Sequence, residues 1–238
     1  NLNLDLMHGL PEQSIDDAKA DLQQAIDLGP EHLSWYQLTI EQNTAFYSAP
    51  PVLPEEEILA DIQDAGIELL ASAGYEQYEI SAYARAKKQA RHNLNYWAFG
   101  DYLGIGAGAH GKITFPAENS ITRLWKTRLP KHYLDAAHSQ KISTNLHGHQ
   151  NVFGGGSDLL SPESLPLEFM MNALRLNEGV PITYFSQRTG QDWSLLADNW
   201  ARLEVQGLVE QVNGYIRPTV LGRRFLNRVL QAFIRETD

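Results

Sequence analysis

One short stretch of the chain, RHNLNYWAFGDYLGIGAGAHG at residues 91–111, combines residue types that bind ligands. Its two histidines, His92 and His110, carry imidazole nitrogens that can ligate a metal or hydrogen-bond a cofactor. Tyr96 and Trp97 offer ring faces on which a flat apolar ligand can stack. Glycines follow at positions 104, 106, 108 and 111. Glycine lets the backbone approach a bulky ligand closely, and it equally suits a tightly packed strand or bulge.

The glycines do not form a dinucleotide site. GIGAGA at 104–109 fits the pattern G-x-G-x-x-A, which requires a helix to open at the glycines. The next residues, HGKITFP, are strand-like and end in proline. The context therefore excludes a Rossmann-type site. A metal shared by His92 and His110 is also disfavoured, because no acidic residue lies at helical spacing from either histidine.

The chain opens with a predicted strand, NLNLDLMHGLP, whose side chains alternate in character. Leucines share one face, and Asn3 and Asp5 share the other, because successive strand residues point to opposite sides. The next predicted strand, HLSWYQLTI at 32–40, places Gln37 and Thr39 in a similar alternation. Such a face suits a small polar ligand, and a carboxylate such as Asp5 can accept hydrogen bonds from ribose hydroxyls. The alternative is an edge strand whose polar face is simply solvated.

Helical patterns separate these strands and predict the α/β class. A first helix starts at Ser14, a favourable N-cap, and ends at Gly29 and Pro30. It joins the first two strands into a βαβ unit, which implies that they are parallel. A second helix is predicted over 55–72, and a third strand over 75–84.

The character of the sequence changes after residue 115. Residues 116–166 are expected to be an irregular connecting region, with a flexible loop at 148–158. From residue 167 onward the pattern predicts helices, then a hairpin with Asn-Gly at its turn, then a closing helix. This order of elements is typical of a winged-helix domain over 167–238.

The composition restricts the function classes. The 238 residues are 43% hydrophobic and 20% charged, as in ordinary globular proteins. No apolar run approaches the length of a membrane span, and no basic leader is seen. The chain has no cysteine, which excludes disulfides, thiolate metal sites and a thiol nucleophile. These features together favour a cytoplasmic protein.

The net charge of −10 argues against nucleic acid as a partner. A nucleic-acid-binding winged helix remains an alternative, because Arg223, Arg224 and Arg228 form a basic helix. Glu204 and Glu210 count against it.

Four segments together, NLDLMHGLP, YEISAYA, HNLNYW and DYLGIGAGAHG, resemble the HemW haem chaperones. These are relatives of oxygen-independent coproporphyrinogen III oxidase within the radical S-adenosylmethionine superfamily. HNLNYW is the most specific element, because it marks the HemW branch. The resemblance runs from residue 1 almost to the C-terminus. It implies the C-terminal part of a partial (β/α) radical-SAM barrel over 1–115, followed by a mostly helical, winged-helix-like domain over 167–238.

The resemblance implies a protein that binds haem and delivers it to haem-acceptor proteins, some of them membrane-associated. The intact protein is expected to hold a [4Fe–4S] cluster and S-adenosylmethionine. This chain starts at what resembles the fifth barrel strand and lacks the cluster-binding cysteines, so it is expected to be inactive alone. A dimer through the uncovered first strand is a further expectation. The alternative function is oxygen-independent coproporphyrinogen III oxidase, so whether the intact protein is an enzyme stays open.

The resemblance also implies roles for individual residues. The positions that match S-adenosylmethionine-lining residues are Asp5, Thr39 and His110. The positions implied for haem are His92, Asn93, Tyr96 and Trp97. The cations just upstream, which could pair with haem propionates, are Arg85, Lys87, Lys88 and Arg91. A neutral imidazole is a common axial ligand of haem iron. The alternative is that His92 hydrogen-bonds a turn and that the basic run is a solvated face.

Overall fold

The computed structural model describes residues 1–138 and 155–234. The chain divides into two compact units, residues 1–91 and residues 92–238. Within the described parts of the chain, no helix is both long and apolar enough to span a membrane. Most of the loop predicted at 148–158 lies outside the described residues.

The first unit contains a four-stranded sheet and three helices. Its elements are β1 (Asn3–His8), α1 (Ile15–Asp27), β2 (His32–Gln37), α2 (Ala45–Ser48), α3 (Glu56–Ser72), β3 (Glu76–Gln77) and β4 (Ala82–Ala84). The strand order is β1-β2-β4-β3, so β1 lies at one edge. β1 and β2 are parallel, as the predicted βαβ unit requires. The α/β class is therefore confirmed for this unit.

The third strand, predicted over 75–84, is not one continuous strand. It is divided into β3 and β4 by a turn in which the Tyr78 N–H donates to the Ala82 carbonyl at 3.2 Å. β4 then pairs antiparallel with both β2 and β3. Because the chain reverses direction within this segment, it cannot continue a parallel arrangement.

Local signals in the sequence determine where the first helix begins. Ser14 is the predicted N-cap and forms a capping box with Asp17, in which each side chain accepts a hydrogen bond from the other residue's backbone N–H. α1 and α3 then bury their apolar stripes against the sheet. The core side chains with at most 2% exposure are Ala18, Leu22, Leu33, Trp35, Ile62, Leu70, Tyr75 and Tyr83.

The second unit contains two three-stranded antiparallel sheets, in the orders β5-β6-β7 and β8-β10-β9. Its strands are β5 (His110–Phe115), β6 (Ser120–Trp125), β7 (Gly156–Leu159), β8 (Val180–Pro181), β9 (Val209–Val212) and β10 (Tyr215–Pro218). Its helices are α4 (Arg91–Trp97), α5 (Pro130–His138), α6 (Leu165–Ala173), α7 (Thr183–Thr189), α8 (Ser194–Val205), α9 (Val220–Arg224) and α10 (Leu226–Gln231), and Pro116–Glu118 forms a 3₁₀ turn.

The described part of residues 116–166 is more regular than expected, because it contains β6, α5 and β7. The predicted hairpin is present as β9 and β10. Asn213 and Gly214 at its turn have φ of 52° and 79°, the left-handed values that the tight turn between twisted strands needs. The predicted closing helix is interrupted at Phe225, where φ is −116° and ψ is 35°, and so forms α9 and α10.

Aromatic side chains connect the elements of the second unit. Their rings follow one another at centroid distances of 5.3 to 5.9 Å, mostly edge to face. In order, they are Phe99, Phe169, Phe185, Trp193 and Trp200. This core holds the segment that follows α4 against α6 and α7.

Candidate functional site

The residues implied for haem binding lie on the short helix α4. His92 and Tyr96 are four residues apart and share one helical face, and Asn93 and Trp97 do the same on an adjacent face. The side chain of His92 is exposed. Among residues 1–138 and 155–234, no hydrogen bond or ion pair engages the His92 imidazole. Its nitrogens are therefore accessible to a ligand.

Three aromatic residues at the end of α4 and in the segment after it form a cluster, which we call the aromatic cluster: Tyr96, Trp97 and Tyr102. Tyr96 lies 4.6 Å from Trp97 and 4.9 Å from Tyr102 between ring centroids. Burial raises the pKa of Tyr102 to about 12, and the neighbouring Tyr96 contributes to the same shift. All three side chains are only partly buried. The cluster is thus a partly accessible apolar surface, and the Tyr102 hydroxyl in it stays protonated at neutral pH.

The end of α4 is fixed by the segment that follows it. The Gly100 N–H donates to the Asn95 carbonyl at 2.8 Å, and the Asn95 side-chain amide donates to the Asp101 carbonyl at 2.9 Å. A Cβ at Gly100 would lie 2.2 Å from the Asn95 Oδ1. Glycine is therefore required at position 100, and the chain continues from the end of α4 in one defined direction.

An ion pair between the buried Lys112 and the half-exposed Asp101 anchors the same segment to β5. The Lys112 Nζ lies 2.8 Å from the Asp101 Oδ1 and 4.3 Å from the centroid of the Phe99 ring. Burial lowers the pKa of Lys112. Burial opposes ionisation of Asp101 too, but hydrogen bonds from Lys112 and Thr114 outweigh it and hold the pKa of Asp101 below its ordinary value. Sequence reasoning missed this pair, because nothing local shows that Lys112 is buried.

The glycines that follow α4 serve chain packing. A Cβ at Gly104 would lie 2.1 Å from the His110 carbonyl oxygen. Gly106 and Gly108 have φ of 106° and 72°, which side chains rarely adopt. The Tyr102 and Lys112 backbones exchange two hydrogen bonds of 3.0 Å across this loop. The packing alternative therefore accounts for the glycines without a ligand.

Asp5 lies on the exposed polar face of β1, as the alternation predicted. The Asn3 side-chain amide donates to the Asp5 Oδ1 at 2.9 Å. The Asn3 Oδ1 is in turn 2.6 Å from the His32 Nδ1, and the His32 Nε2 is 2.8 Å from the Tyr78 hydroxyl. Burial lowers the pKa of His32, while the Asp5 charge opposes that shift. One carboxylate oxygen of Asp5 is thus held by this chain of hydrogen bonds.

The other two residues implied for S-adenosylmethionine are exposed. Thr39 follows the end of β2, and its hydroxyl donates to the Glu41 carboxylate at 3.3 Å. His110 is the first residue of β5 and lies opposite Trp125 in the register of β6. Asp5 and Thr39 belong to the first unit, and His110 to the second.

The side chains fit S-adenosylmethionine better than they fit a cluster. An exposed carboxylate with one engaged oxygen, as at Asp5, suits a ribose hydroxyl. No thiolate is available for iron, because the chain has no cysteine. Within the described residues, no group of three or more histidine and acidic side chains could hold a metal ion.

Two members of the upstream basic run already have partners in the first unit. The Arg85 guanidinium lies 4.8 Å from the centroid of the Tyr75 ring, and its Nε donates to the Pro30 carbonyl at 3.4 Å. The Lys88 Nζ donates to the Asn1 side chain at 3.2 Å. These cations therefore help to hold the first unit together.

A different cation contacts the aromatic cluster. The Arg175 guanidinium lies over the Trp97 ring, 4.8 Å from its centroid. The Arg175 Nε donates to the Met171 carbonyl at 3.1 Å, near the end of α6. Sequence reasoning missed this residue, because a lone arginine in LEFMMNALRL carries no signal that relates it to HNLNYW.

Comparison with known proteins confirms the resemblance. A family described as the HemN C-terminal domain matches residues 160–225. The protein named "Heme chaperone HemW" from Escherichia coli is 45% identical over 236 residues, which are 99% of this chain and 58% of that protein. Its namesake from Haemophilus influenzae is 46% identical over 99% of this chain and 57% of that protein. The Bacillus subtilis protein of that name is 31% identical, over 99% and 59%.

A solved structure shares the fold. It is titled as coproporphyrinogen III oxidase (HemN) from Escherichia coli, a radical SAM enzyme. The TM-score is 0.70 over 97% of this chain and 54% of that chain, at 18% sequence identity. The mixed α/β fold is therefore that of a HemN-type protein. The chain spans a little under three fifths of the length of its curated relatives.

Proposed function

Because this chain is a relative of the HemW haem chaperones over nearly its whole length, we propose that it binds haem and takes part in delivering haem to acceptor proteins. The observation that carries the proposal is the 45% identity to a protein named as a haem chaperone, across 99% of this chain. Sequence identity does not by itself show how haem is bound, so we next assign the residues that would bind it.

His92 is the residue that we assign to the haem iron. Its imidazole is exposed on α4 and is not held by the rest of the described chain. A neutral imidazole nitrogen is a suitable axial ligand. The adjacent aromatic cluster supplies apolar surface for the macrocycle, and Asn93 lies one position further along the same helix. The porphyrin then lies along α4 with its iron at His92.

The intact protein would in addition use a [4Fe–4S] cluster and S-adenosylmethionine. The cluster needs thiolates from outside this chain, because the chain has none. S-adenosylmethionine, when bound, would supply radical chemistry. In the first unit, Asp5, which is hydrogen-bonded by Asn3, and Thr39 are the residues proposed to contact it. In the second unit, the same resemblance proposes His110. We assign these three residues to cofactor binding and none to catalysis.

The finer architecture follows from the same relationship. We assign residues 1–115 to the C-terminal part of a partial (β/α) barrel, residues 116–166 to a connecting region and residues 167–238 to a winged-helix-like domain. The order α6, β8, α7, α8, β9, β10 supports the last assignment, because helices precede the hairpin of β9 and β10. Membrane-associated acceptors, a cytoplasmic location and a dimer through β1 remain predictions.

The alternative function, oxidation of coproporphyrinogen III, has less support. The similarity to the oxidase structure is 18% in sequence and indicates the fold alone. The curated relatives at 31% to 46% identity are named as haem chaperones. Turnover of coproporphyrinogen III by the intact, cluster-loaded protein would favour the alternative.

Haem titration of the unmodified chain and of His92→Ala tests the proposed ligand. We expect saturable binding with a Soret band, and in the variant a shifted band and roughly tenfold or more weaker affinity, because the axial bond to iron is lost. His132→Ala is the matched control, because His132 is an exposed histidine on α5 of the same unit. An unchanged spectrum and affinity in His92→Ala would assign the iron ligand elsewhere.

A further inference from the structure

An arginine lies at the aromatic cluster although it is far from it in sequence. Arg175 follows α6, and its guanidinium stacks over the Trp97 ring at 4.8 Å from the centroid. Its Nε donates a hydrogen bond to the Met171 carbonyl oxygen at 3.1 Å. The ring covers one face of the guanidinium, and the hydrogen bond holds one edge of it. The position of the charge is therefore defined before any ligand binds.

The outer end of this guanidinium has no partner in the described parts of the chain. Both terminal nitrogens of Arg175 lack a carboxylate or carbonyl within residues 1–138 and 155–234, and the side chain is only partly buried. The other arginine that acts on the cluster, Arg123, forms an ion pair with Glu168. Arg175 thus presents two N–H donors beside an apolar surface, the arrangement that matches a carboxylate bidentately.

A porphyrin with propionate side chains combines the two chemistries that this surface offers. Its macrocycle is flat and apolar, and its propionates are carboxylates at the rim. His92 and Trp97 are five residues apart on α4, about 7.5 Å along the helix axis. Trp97 points about 140° away from His92 around the helix, but Tyr96 shares the face of His92 and its ring centroid lies 4.6 Å from that of Trp97. A macrocycle that extends from His92 over Tyr96 would therefore bring its rim toward Trp97 and Arg175. The upstream cations Arg85 and Lys88 are engaged within the first unit.

We propose that Arg175 pairs with a propionate of the haem bound at His92 and so selects a porphyrin that carries free carboxylates. The inference rests on the proposed function, since it takes His92 as the iron ligand. The Trp97 ring holds the guanidinium in position, and the two terminal nitrogens donate to the two carboxylate oxygens. No covalent step is involved.

The test compares haem with haem dimethyl ester, in which both propionates are esterified, each titrated in the same mild detergent. For Arg175→Leu we expect about tenfold weaker binding of haem, because a charge-assisted hydrogen bond is lost, and unchanged binding of the ester. Arg175→Lys should recover only part of the affinity for haem, because lysine keeps the charge and loses the planar pair of donors.

Arg188→Leu is the matched control, because the Arg188 guanidinium also stacks on an aromatic ring, 4.3 Å from the centroid of Tyr184. It should change the affinity for neither porphyrin. Equal losses for haem and for the ester in Arg175→Leu, or no loss for either, would overturn the pairing.

The results that would contradict the proposed function differ from those that would contradict the role of Arg175. If His92→Ala leaves the Soret band unchanged while the difference between haem and ester still depends on Arg175, then only the assignment of the iron ligand is wrong. If the unmodified chain binds neither porphyrin, both proposals are wrong.

Discussion

At the scale of the residue, the buried histidine His8 is expected to affect stability. His8 ends β1, is 3% exposed and stacks on Trp35, with ring centroids 4.1 Å apart. Within the described part of the chain, its Nδ1 is buried without a hydrogen-bond partner. Burial lowers the pKa of His8 to about 4, so the folded protein keeps this imidazole neutral.

This pKa predicts how stability depends on pH. Between pH 6.5 and about 4 the unfolded chain takes up a proton at His8 that the folded chain does not, so the free energy of unfolding falls as the pH is lowered. The contribution of His8 should be on the order of 1 kcal/mol for each pH unit in that window. His8→Phe keeps a ring on Trp35 but cannot titrate, so urea unfolding at pH 7, 6 and 5 should give a shallower decline than in the unmodified chain. Parallel declines would contradict the assignment, and His132→Phe controls for an exposed histidine.

At the scale of the element, the packing of α3 against the sheet depends on a glycine, Gly66. Gly66 lies in the interior of this helix, on the face that covers the sheet. A Cβ placed there would lie 2.0 Å from the Trp35 ring. The helix therefore approaches Trp35 closely enough for the indole to occupy the space of a methyl group, which fixes the distance between helix and sheet.

Gly66→Ala is expected to lower the free energy of unfolding by about 1–3 kcal/mol, because the added methyl overpacks the core. The expected sign is opposite to that of a solvent-exposed helix position, where the same change stabilises by roughly 1 kcal/mol. Urea denaturation measures the difference. Glu68→Ala, at an exposed position of the same helix, should stay within about 0.5 kcal/mol of the unmodified chain. A stabilised Gly66→Ala variant would show that the helix does not approach Trp35 in this way.

At the scale of the whole molecule, the exposed edge of the first sheet favours association between two copies of the chain. β1 pairs with β2 on one side, and it ends the sheet order in the described residues. Leu2 and Met7 beside this edge are 52% and 44% exposed. An uncovered edge strand with apolar neighbours tends to pair with a strand of another chain. A second copy of this chain can supply that strand.

We therefore predict concentration-dependent dimerisation, measured by sedimentation velocity. Met7→Lys should lower the dimer fraction several-fold, because a lysine on an edge strand opposes pairing between copies. Tyr36→Lys is the matched control: Tyr36 is the register partner of Met7, is 43% exposed and lies on the interior strand β2. A chain that stays monomeric at all concentrations, or equal effects of both variants, would contradict association through β1.

Local patterns in the sequence were enough for much of the fold. The capping box at Ser14 and Asp17 sets the start of α1, and the alternation in β1 predicts the exposed face that carries Asp5. The Asn213-Gly214 pair alone predicts the last hairpin, because few residues other than these accept its positive φ values. These signals act over a few residues, so they can be read without the tertiary structure. The HNLNYW segment likewise indicated the HemW relationship.

Tertiary structure decided what depends on contacts between distant segments. The antiparallel β4, the ion pair between Lys112 and Asp101, and the stacking of Arg175 on Trp97 all depend on which elements pack together. Helical and strand periodicity specify which face of an element is buried, but not which partner covers it. For that reason the sequence by itself identified His92 as a ligand candidate, and only the packed second unit showed that Arg175 lies over the ring of Trp97 on the same helix.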